Sequence, residues 1–410
     1  MTQRLQSAPG RVANPGNRGS AATPRDTLGA YLEECRKLVL DEIASITPRT
    51  RYGHRLYELM LEYPLRGGKA LRPALCIATC RALGSHVEAV LRSAAVLELY
   101  HNAFLIHDDV EDGSELRRAE ATLHRKYGVP IAVNVGDGML ALSMSPLLDN
   151  MEIIGVGRAL RVLQVIARMA RESAEGQMME LDWIRGEVWT IRDQDYVRMV
   201  YKKTTWYTFI APVTIGAIAA RATGDHLRIL VKFATVLGIA FQIQDDVLNL
   251  VADETRYGKE IDGDLWEGKH TLILIHAMRN ATESERREAA RILRKPRPPS
   301  INARSSDSDE LRAVARSLRK EGLLAKEGYT RLCAALEGHD RKGEYKTESD
   351  VEFLRNLVEH HGGIAYASSV AERHIDTASR CFRKITAHLP HSAHLNFLSE
   401  LVEFVIRRTH

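Results

Sequence analysis

From Thr27 to about Ala281 the apolar positions recur at helical intervals, segment after segment, with few of the alternating runs that mark strands. Asp26 or Thr27 is placed to cap the first helix. Over 92–107 the pattern closes up. Ala94, Ala95, Leu97, Leu99, Phe104 and Ile106 leave almost no polar side, as in a helix buried all round. A similar buried helix is expected from Phe233 to Leu250. The apolar stretch Thr208 to Ala220 is interrupted by Pro212 and stops at Arg221, which reads as a buried core helix. Gly136 and the pair Gly155 and Gly157 mark connections. No segment approaches ~20 continuous apolar residues, so no transmembrane segment is expected.

The ends and one internal stretch depart from this pattern. Residues 1–25 are rich in Pro, Gly, Ser, Ala and Arg and hold no acid. They lack the apolar run of a secretory signal and have too few large apolar residues to pack. Residues 1–26 are therefore read as a disordered leader, with an acid-poor transit peptide as the other reading. Over 294–348, Arg294-Lys295-Pro296-Arg297-Pro298-Pro299 cannot be helical and Ser305-Ser306-Asp307-Ser308-Asp309 is a polar tract. A short amphipathic helix is expected from Leu311 to Leu324 within a surface insertion, with regular helices resuming at Val351. The chain reads as a single all-α domain, 27–410, carrying an insertion at about 294–348.

Composition changes this picture little. At 410 residues and 45% hydrophobic the chain can bury a large core. Its net charge of +4 is the small difference of 57 basic and 53 acidic residues, so neither nucleic acid nor another polyanion is implied as a partner. Cys35, Cys76, Cys80, Cys333 and Cys381 have no zinc-like spacing with histidines. Such an odd, scattered set points to core packing in a reducing compartment, hence the cytoplasm.

The chemistry lies in two acidic clusters. Asp108-Asp109-Val110-Glu111-Asp112 and Asp245-Asp246-Val247-Leu248-Asn249 each place oxygen ligands at i and i+4, on one helix face. Apolar residues precede both (Ala103 to Ile106, Gly238 to Phe241), so the acids top buried helices and do not line a wet surface. Carboxylates so crowded repel one another unless a cation sits among them. Hard oxygen ligands suit Mg²⁺, which shares its remaining sites with substrate phosphates. Basic residues are interleaved with the acids. Gly67-Gly68-Lys69-Ala70-Leu71-Arg72-Pro73 puts Lys69 and Arg72 on one helical face as a phosphate grip. Arg117 and Arg118 point to different sides of a turn and can serve two anions. Lys203, Thr204, Gln242, Lys259 and Lys269 add donors near the second cluster.

Taken in order, GGKALRP (67–73), HNAFLIHDDVEDGSELRR (101–118), GQ (176–177), KT (203–204), FQIQDDVLNL (241–250) and YGKEIDGDLWEGKHTL (257–272) resemble the trans-isoprenyl diphosphate synthase family. The resemblance covers about residues 30–293 and 349–408. It implies an isoprenoid-synthase-type helical bundle around a deep central cavity, usually a homodimer, joining isopentenyl diphosphate head-to-tail to an allylic diphosphate. It further implies that Asp108, Asp109, Asp112 and Asp245 bind about three Mg²⁺ ions with the allylic diphosphate. Asp246 supports that set, and these five with Lys203 carry catalysis. Lys69, Arg72, His101 and Arg118 match the isopentenyl diphosphate site. Arg117, Lys203, Gln242, Lys259 and Lys269 match the allylic site, with Thr204 beside them.

Asn249 stands where the family's second motif usually ends in an aspartate, and resembles the geranylgeranyl branch in doing so. Glu180 stands where an Asp is more usual after Gln177. Along the helix before Asp108, Phe104 lies one turn below, about 5.4 Å, and Tyr100 two turns, about 11 Å. In the family, bulk four and five positions before the first Asp favours short products. Here those positions are Phe104 and the small Ala103. With the uninterrupted DDVED, this favours a twenty-carbon product, fifteen carbons being the runner-up. A terpene cyclase would not need the isopentenyl-site residues Lys69, Arg72, His101 and Arg118. A regulatory subunit would have lost its metal ligands.

Overall fold

The computed structural model describes residues 24–186, 189–251, 261–298, 313–339, 345–387 and 389–407. Among them helix follows helix: α1 (Pro24–Ile46), α2 (His54–Leu65), α3 (Leu71–Ala82), α4 (Leu91–Glu111), α5 (Leu123–Tyr127), α6 (Val129–Leu142), α7 (Met144–Ile154), α8 (Val156–Gly186) and α9 (Asp193–Val200). A π-helix (Tyr201–Ile210) leads into α10 (Ala211–Ala219), then α11 (Gly224–Val251), α12 (Gly263–Glu267), α13 (Leu272–Asn280) and α14 (Glu283–Leu293). The last five are α15 (313–320), α16 (Lys326–His339), α17 (Glu348–His360), α18 (Gly363–Thr386) and α19 (Ala393–Arg407). The strands described are β1 (Leu116–Arg117) and β2 (Glu120–Ala121), an antiparallel pair with Arg117 opposite Glu120. The all-α expectation holds.

α4 is the helix that the closed apolar pattern called for, with every residue from Ser93 to Ala103 buried. α11 is longer than expected and runs through both halves of the core. Its Phe233, Ala234 and Leu237 pack in one apolar cluster, and its Ile243, Val247 and Leu250 in another. α18 lies along it with the same division: Ala367, Val370 and Ala371 join the second cluster, and Ile375, Ala378 and Cys381 the first. Phe233 meets Phe382 with ring centroids 5.5 Å apart. The acidic end of α11 is therefore fixed by packing at both ends of the helix.

Several local expectations are corrected. α1 begins at Pro24, so Asp26 and Thr27 lie within its first turn and do not cap it. Gly136 is no connection. It sits buried inside α6, where a Cβ would lie 2.3 Å from His107 Nε2, so it exists to let α6 approach α4. Gly155 does join two helices, at φ +82°. Within Leu311 to Leu324 the described helix is the shorter α15, a separate helix α16 follows, and α17 starts at Glu348 because Thr347 and Asp350 form a reciprocal capping box. The flanks of this region meet: Lys346 N donates to Pro296 O at 2.9 Å, and Lys295 Nζ to Asp350 Oδ1 at 2.8 Å. Val129–Ile154 and Gly224–Val251 are long and apolar enough to cross a membrane by length and composition, a property that buried core helices share. Packing into both core clusters accounts for the apolar content of α11.

The path through Pro212 is continuous and not broken. Proline has no N–H to donate to the preceding turn, and it falls in the first turn of α10, just after the backbone has widened into the π-helix. Neighbours then press on the π-helix from two sides. A Cβ on Gly176 of α8 would lie 2.2 Å from Lys203 N, and one on Gly238 of α11 would lie 2.6 Å from Thr205 Cγ2. Gly176 therefore sets how close Lys203 stands to α8. Gly176→Ala has only backbone to push against, so overpacking should cost about 3 kcal/mol. A lowered melting temperature together with lost activity is expected, and an unchanged melt would show that α8 can slide.

Candidate active site

Asp108 and Asp112 lie four residues apart on α4 and share one face. Burial pushes both carboxyls up, Asp112 to about 7, where the Lys269 ammonium opposes the shift and Glu267 adds to it. Asp109 lies about 100° round the helix and is fully buried. Its Oδ2 accepts from the Tyr63 hydroxyl at 2.7 Å and its Oδ1 from Arg117 Nε at 2.9 Å. α11 repeats the arrangement with a different balance. Asp246 Oδ2 accepts from the Tyr196 hydroxyl at 2.6 Å, and Oδ1 from Gln242 Nε2 at 2.8 Å. Both donors are neutral. Burial, with the Asp264 carboxylate beside it, pushes the Asp246 carboxyl up to about 8. In each pair the second aspartate is thus anchored inward by a tyrosine from another helix. The first, half-buried Asp108 or Asp245, occupies a different azimuth.

Two lysines stand among these acids. Lys203 Nζ donates to Glu180 Oε2. Burial alone would lower its pKa, but Glu180, Asp108 and Asp112 outweigh burial and hold it above the ordinary lysine value. Lys269 Nζ lies 2.6 Å from Glu267 and 3.7 Å from Asp264. Burial works against its charge too, yet Asp264, Glu267, Asp112 and Glu180 raise it well above the usual value. Lys269 therefore feels both the DDVED face and the carboxylates beside the DDVLN motif. It links the two clusters electrostatically.

A second, basic patch adjoins the first. Arg72 Nη2 donates to Thr208 Oγ1 at 2.9 Å, and its guanidinium lies over the Tyr207 ring at 4.5 Å. His101 also stacks on Tyr207, centroids 6.0 Å apart. Burial, then the Arg72, Arg118 and Arg117 cations, drive the His101 pKa well down, so the ring is neutral. Its Nδ1 and Arg72 Nε are buried without a hydrogen-bond partner in the protein, as groups awaiting an anion would be. Arg117 and Arg118 do diverge. Arg117 reaches Asp109, and Arg118 donates to the carbonyls of Tyr63 and Gly67. Arg118 and Ala119 have φ of 55° and 63°, the two left-handed positions of a tight hairpin, so the turn stores strain at the site.

Phe104 packs edge-on against Tyr100 at 5.9 Å and Tyr207 at 5.6 Å. Ala103 is fully buried beside them.

Not every expected residue lies where spacing put it. Lys69 is not on a helix face shared with Arg72. Ala70 caps α3 in the left-handed conformation, so Lys69 precedes the helix, and its Nζ lies over Phe404 of α19 at 5.1 Å. Gln242 turns to Asp246, and Thr204 lies half-buried beside Lys203. Lys259 lies outside the described residues. Asn249 does not simply substitute for a carboxylate ligand: its Oδ1 accepts from Asp264 N at 3.0 Å, at the start of α12. Spacing missed Tyr63, Tyr196, Asp264, Glu267 and Tyr207. Asp264 and Glu267 carried a signal, since both lie within the segment 257–272, and Tyr63 and Tyr207 a weaker one by standing close to motif residues; Tyr196 carried none.

A family model described as polyprenyl synthetase matches residues 54–304. The chain is 35% identical over 242 residues, 58% of this chain and 71% of the relative, to a short chain isoprenyl diphosphate synthase of Methanocaldococcus jannaschii. It is 31% identical over 269 residues, 66% and 78% of the two chains, to a geranylgeranyl diphosphate synthase of Sulfolobus acidocaldarius. To an octaprenyl diphosphate synthase of Escherichia coli it is 35% identical over 219 residues, 53% and 65% of the two chains. Its fold is similar to the crystal structure of geranylgeranyl pyrophosphate synthetase from Pyrococcus horikoshii, with TM-score 0.73 and 28% identity over 93% of this chain and 98% of that one.

The raised carboxyls have a consequence for stability. Folded Asp112 and Asp246 keep protons that the unfolded chain releases near pH 4, so this contribution is present in acid and lost as pH climbs through about 7 and 8. Asp246→Asn removes the buried charge while keeping an oxygen for Tyr196. In metal-free protein it should raise the melting temperature at about pH 8 and flatten its decline between about pH 6 and pH 9. Parallel curves for the two proteins would refute this account.

Proposed function

The chain belongs to the polyprenyl synthetase family and is a trans-prenyltransferase, and on that premise we propose that it condenses isopentenyl diphosphate with allylic diphosphates to make geranylgeranyl diphosphate. One observation carries the reading. The same two elements serve both charged patches: α4 supplies His101 and Asp108, and the π-helix supplies Tyr207 and Lys203. Two anionic substrates held on these elements would have their tails brought together along one wall.

In this reading Arg72, His101 and Arg118 hold isopentenyl diphosphate, with Lys69 near α19. The allylic diphosphate lies against Lys203 and Lys269. Asp108, Asp112 and Asp245 are the Mg²⁺ ligands, and the donor set fits. Burial holds the Asp112 carboxyl up at about 7 despite the Lys269 and Lys203 ammoniums, and a divalent cation at this face would return it to the charged form. Bound Mg²⁺ supplies charge stabilisation for the departing diphosphate. Lys203 and Lys269, kept charged by the surrounding acids, add to it where negative charge develops as the allylic C–O bond breaks. The isopentenyl double bond then attacks the allylic cation, and loss of a proton completes the step. Tyr207 and Phe104 offer the cation ring faces and no nucleophile, and they exclude water. Asp109, engaged by Tyr63 and Arg117, and Asp246, engaged by Tyr196, serve as positioning residues. This departs from the assignment of Asp109 as a direct ligand.

The twenty-carbon product rests on the small side chain of Ala103, five positions before Asp108, and on the Phe104–Tyr100 pair as the floor that ends elongation. Fifteen carbons is the alternative should Phe104 seal the space early. Residues 27–410 act as one domain in this proposal. Val129, Ile131, Leu148, Ile153, Val156 and Leu160 leave apolar side chains exposed along α6, α7 and the start of α8, and we assign this face to a homodimer. The free, buried Cys35, Cys76, Cys80 and Cys381 fit a cytoplasmic setting.

Purified protein with Mg²⁺, labelled isopentenyl diphosphate and dimethylallyl, geranyl or farnesyl diphosphate should form a geranylgeranyl product. Asp108→Ala should lower the rate by about 10²-fold or more. No incorporation with any primer would overturn the synthase reading in favour of a cyclase or regulatory subunit. Phe104→Ala removes the ring one turn below Asp108, so its products should be longer by at least one prenyl unit. An unchanged product spectrum would mean that Phe104 only packs the core.

A further inference from the structure

Away from the acidic helices, Glu285 in the first turn of α14 meets His360 and His361 at the end of α17. One ligand atom from each lies within 4.8 Å of the other two. The carboxylate is held in place: Thr282 N and Oγ1 both donate to Glu285 Oε2 at 2.8 Å, and His361 Nε2 lies 3.2 Å from the same oxygen. The two imidazoles stand edge-on with centroids 4.8 Å apart. His276 supports the group from α13. Its ring nitrogens meet Arg279 Nη2 at 3.3 Å and Asn280 Nδ2 at 3.2 Å, and the ring stacks on Tyr366 at 4.0 Å.

We propose that Glu285, His360 and His361 form a transition-metal site, taking Zn²⁺ or a similar borderline divalent cation, that clamps the start of α14 to the end of α17. Two imidazole nitrogens and one carboxylate oxygen are a zinc ligand set with a fourth position for water. The same set suits Mg²⁺ poorly, since that ion takes oxygen ligands in octahedral geometry. The C-terminal carbonyls of α17 add negative potential where the cation would sit. Glu285 and His361 already touch and their carboxylate is oriented by an outer hydrogen bond, the arrangement that tunes metal ligands. His360 is exposed, so its side chain can rotate inward and close the ligand spread to bonding distance. α17 continues through Gly362 and Gly363 into α18, and a Cβ on Gly363 would lie 2.7 Å from Ile273 O. A metal here would therefore brace a junction that already packs without slack.

The test is Zn²⁺ titration of the full chain against a chromophoric chelator, with Mg²⁺ in large excess to occupy the acidic motifs. One equivalent should bind, and Zn²⁺ should raise the melting temperature. His360→Ala and His361→Ala should each weaken binding by about tenfold or more while circular dichroism and prenyl transfer with Mg²⁺ stay unchanged. Asp108→Asn should bind Zn²⁺ as the wild type does. Co²⁺ should give a visible absorption band that His360→Ala loses. The proposal is overturned if no stoichiometric binding survives excess Mg²⁺, if both histidine variants bind as tightly as the wild type, or if Asp108→Asn abolishes binding.

Discussion

Two half-buried ammonium groups set among carboxylates are the constraint on which the site depends. Lys203 and Lys269 stay charged because Glu180, Asp112, Asp264 and Glu267 surround them, and any of these buried or half-buried charges left without its partners would carry an unrepaid desolvation cost. The acids are not fully offset in return. Asp112 and Asp246 are pushed toward neutrality, so the folded chain carries an excess of crowded carboxyl groups. Such a crowd of carboxyls is unfavourable by itself and is relieved by added positive charge. Function here is stored as incomplete charge compensation.

Holding that arrangement requires a stiff frame. Each aspartate pair divides its work: one acid is drawn inward by a tyrosine hydroxyl, and its neighbour is left on another azimuth. Tyr63 comes from α2 and Tyr196 from α9, so helices distant in sequence orient the two motifs. Arg117 then makes Asp109 part of an ion pair, whereas Asp246 has only neutral donors. That difference explains why burial shifts Asp246 so strongly.

The π-helix is the second device. It carries Lys203 to the acids and Tyr207 to the Arg72–His101 patch, and glycines on α8 and α11 let neighbouring backbones reach it. A wider helical turn changes the azimuth of each side chain relative to an α-helix, so one segment can face two sites. Aromatic contacts of Tyr207 with Phe104 then connect the charged patches to the residues proposed to limit chain length.

The sequence by itself determined that the chain is helical, which helix is buried all round, and that Asp108 and Asp112 share a face. Those follow from a period of 3.6 residues and from apolar positions that leave no polar side on α4. It also carried the ordered motifs by which the family was recognised. Tertiary structure alone decided that Asp109 turns to Tyr63 and Arg117, that Asn249 receives the α12 backbone, and that Lys69 stands outside α3. It also decided that Gly136 is a contact and not a joint. Spacing fixes the angle of a side chain about its own helix axis. Where that axis points, and which distant tyrosine or glycine meets it, depends on the packing of residues far away in the chain, as Tyr63 is from Asp109 and Tyr196 from Asp246.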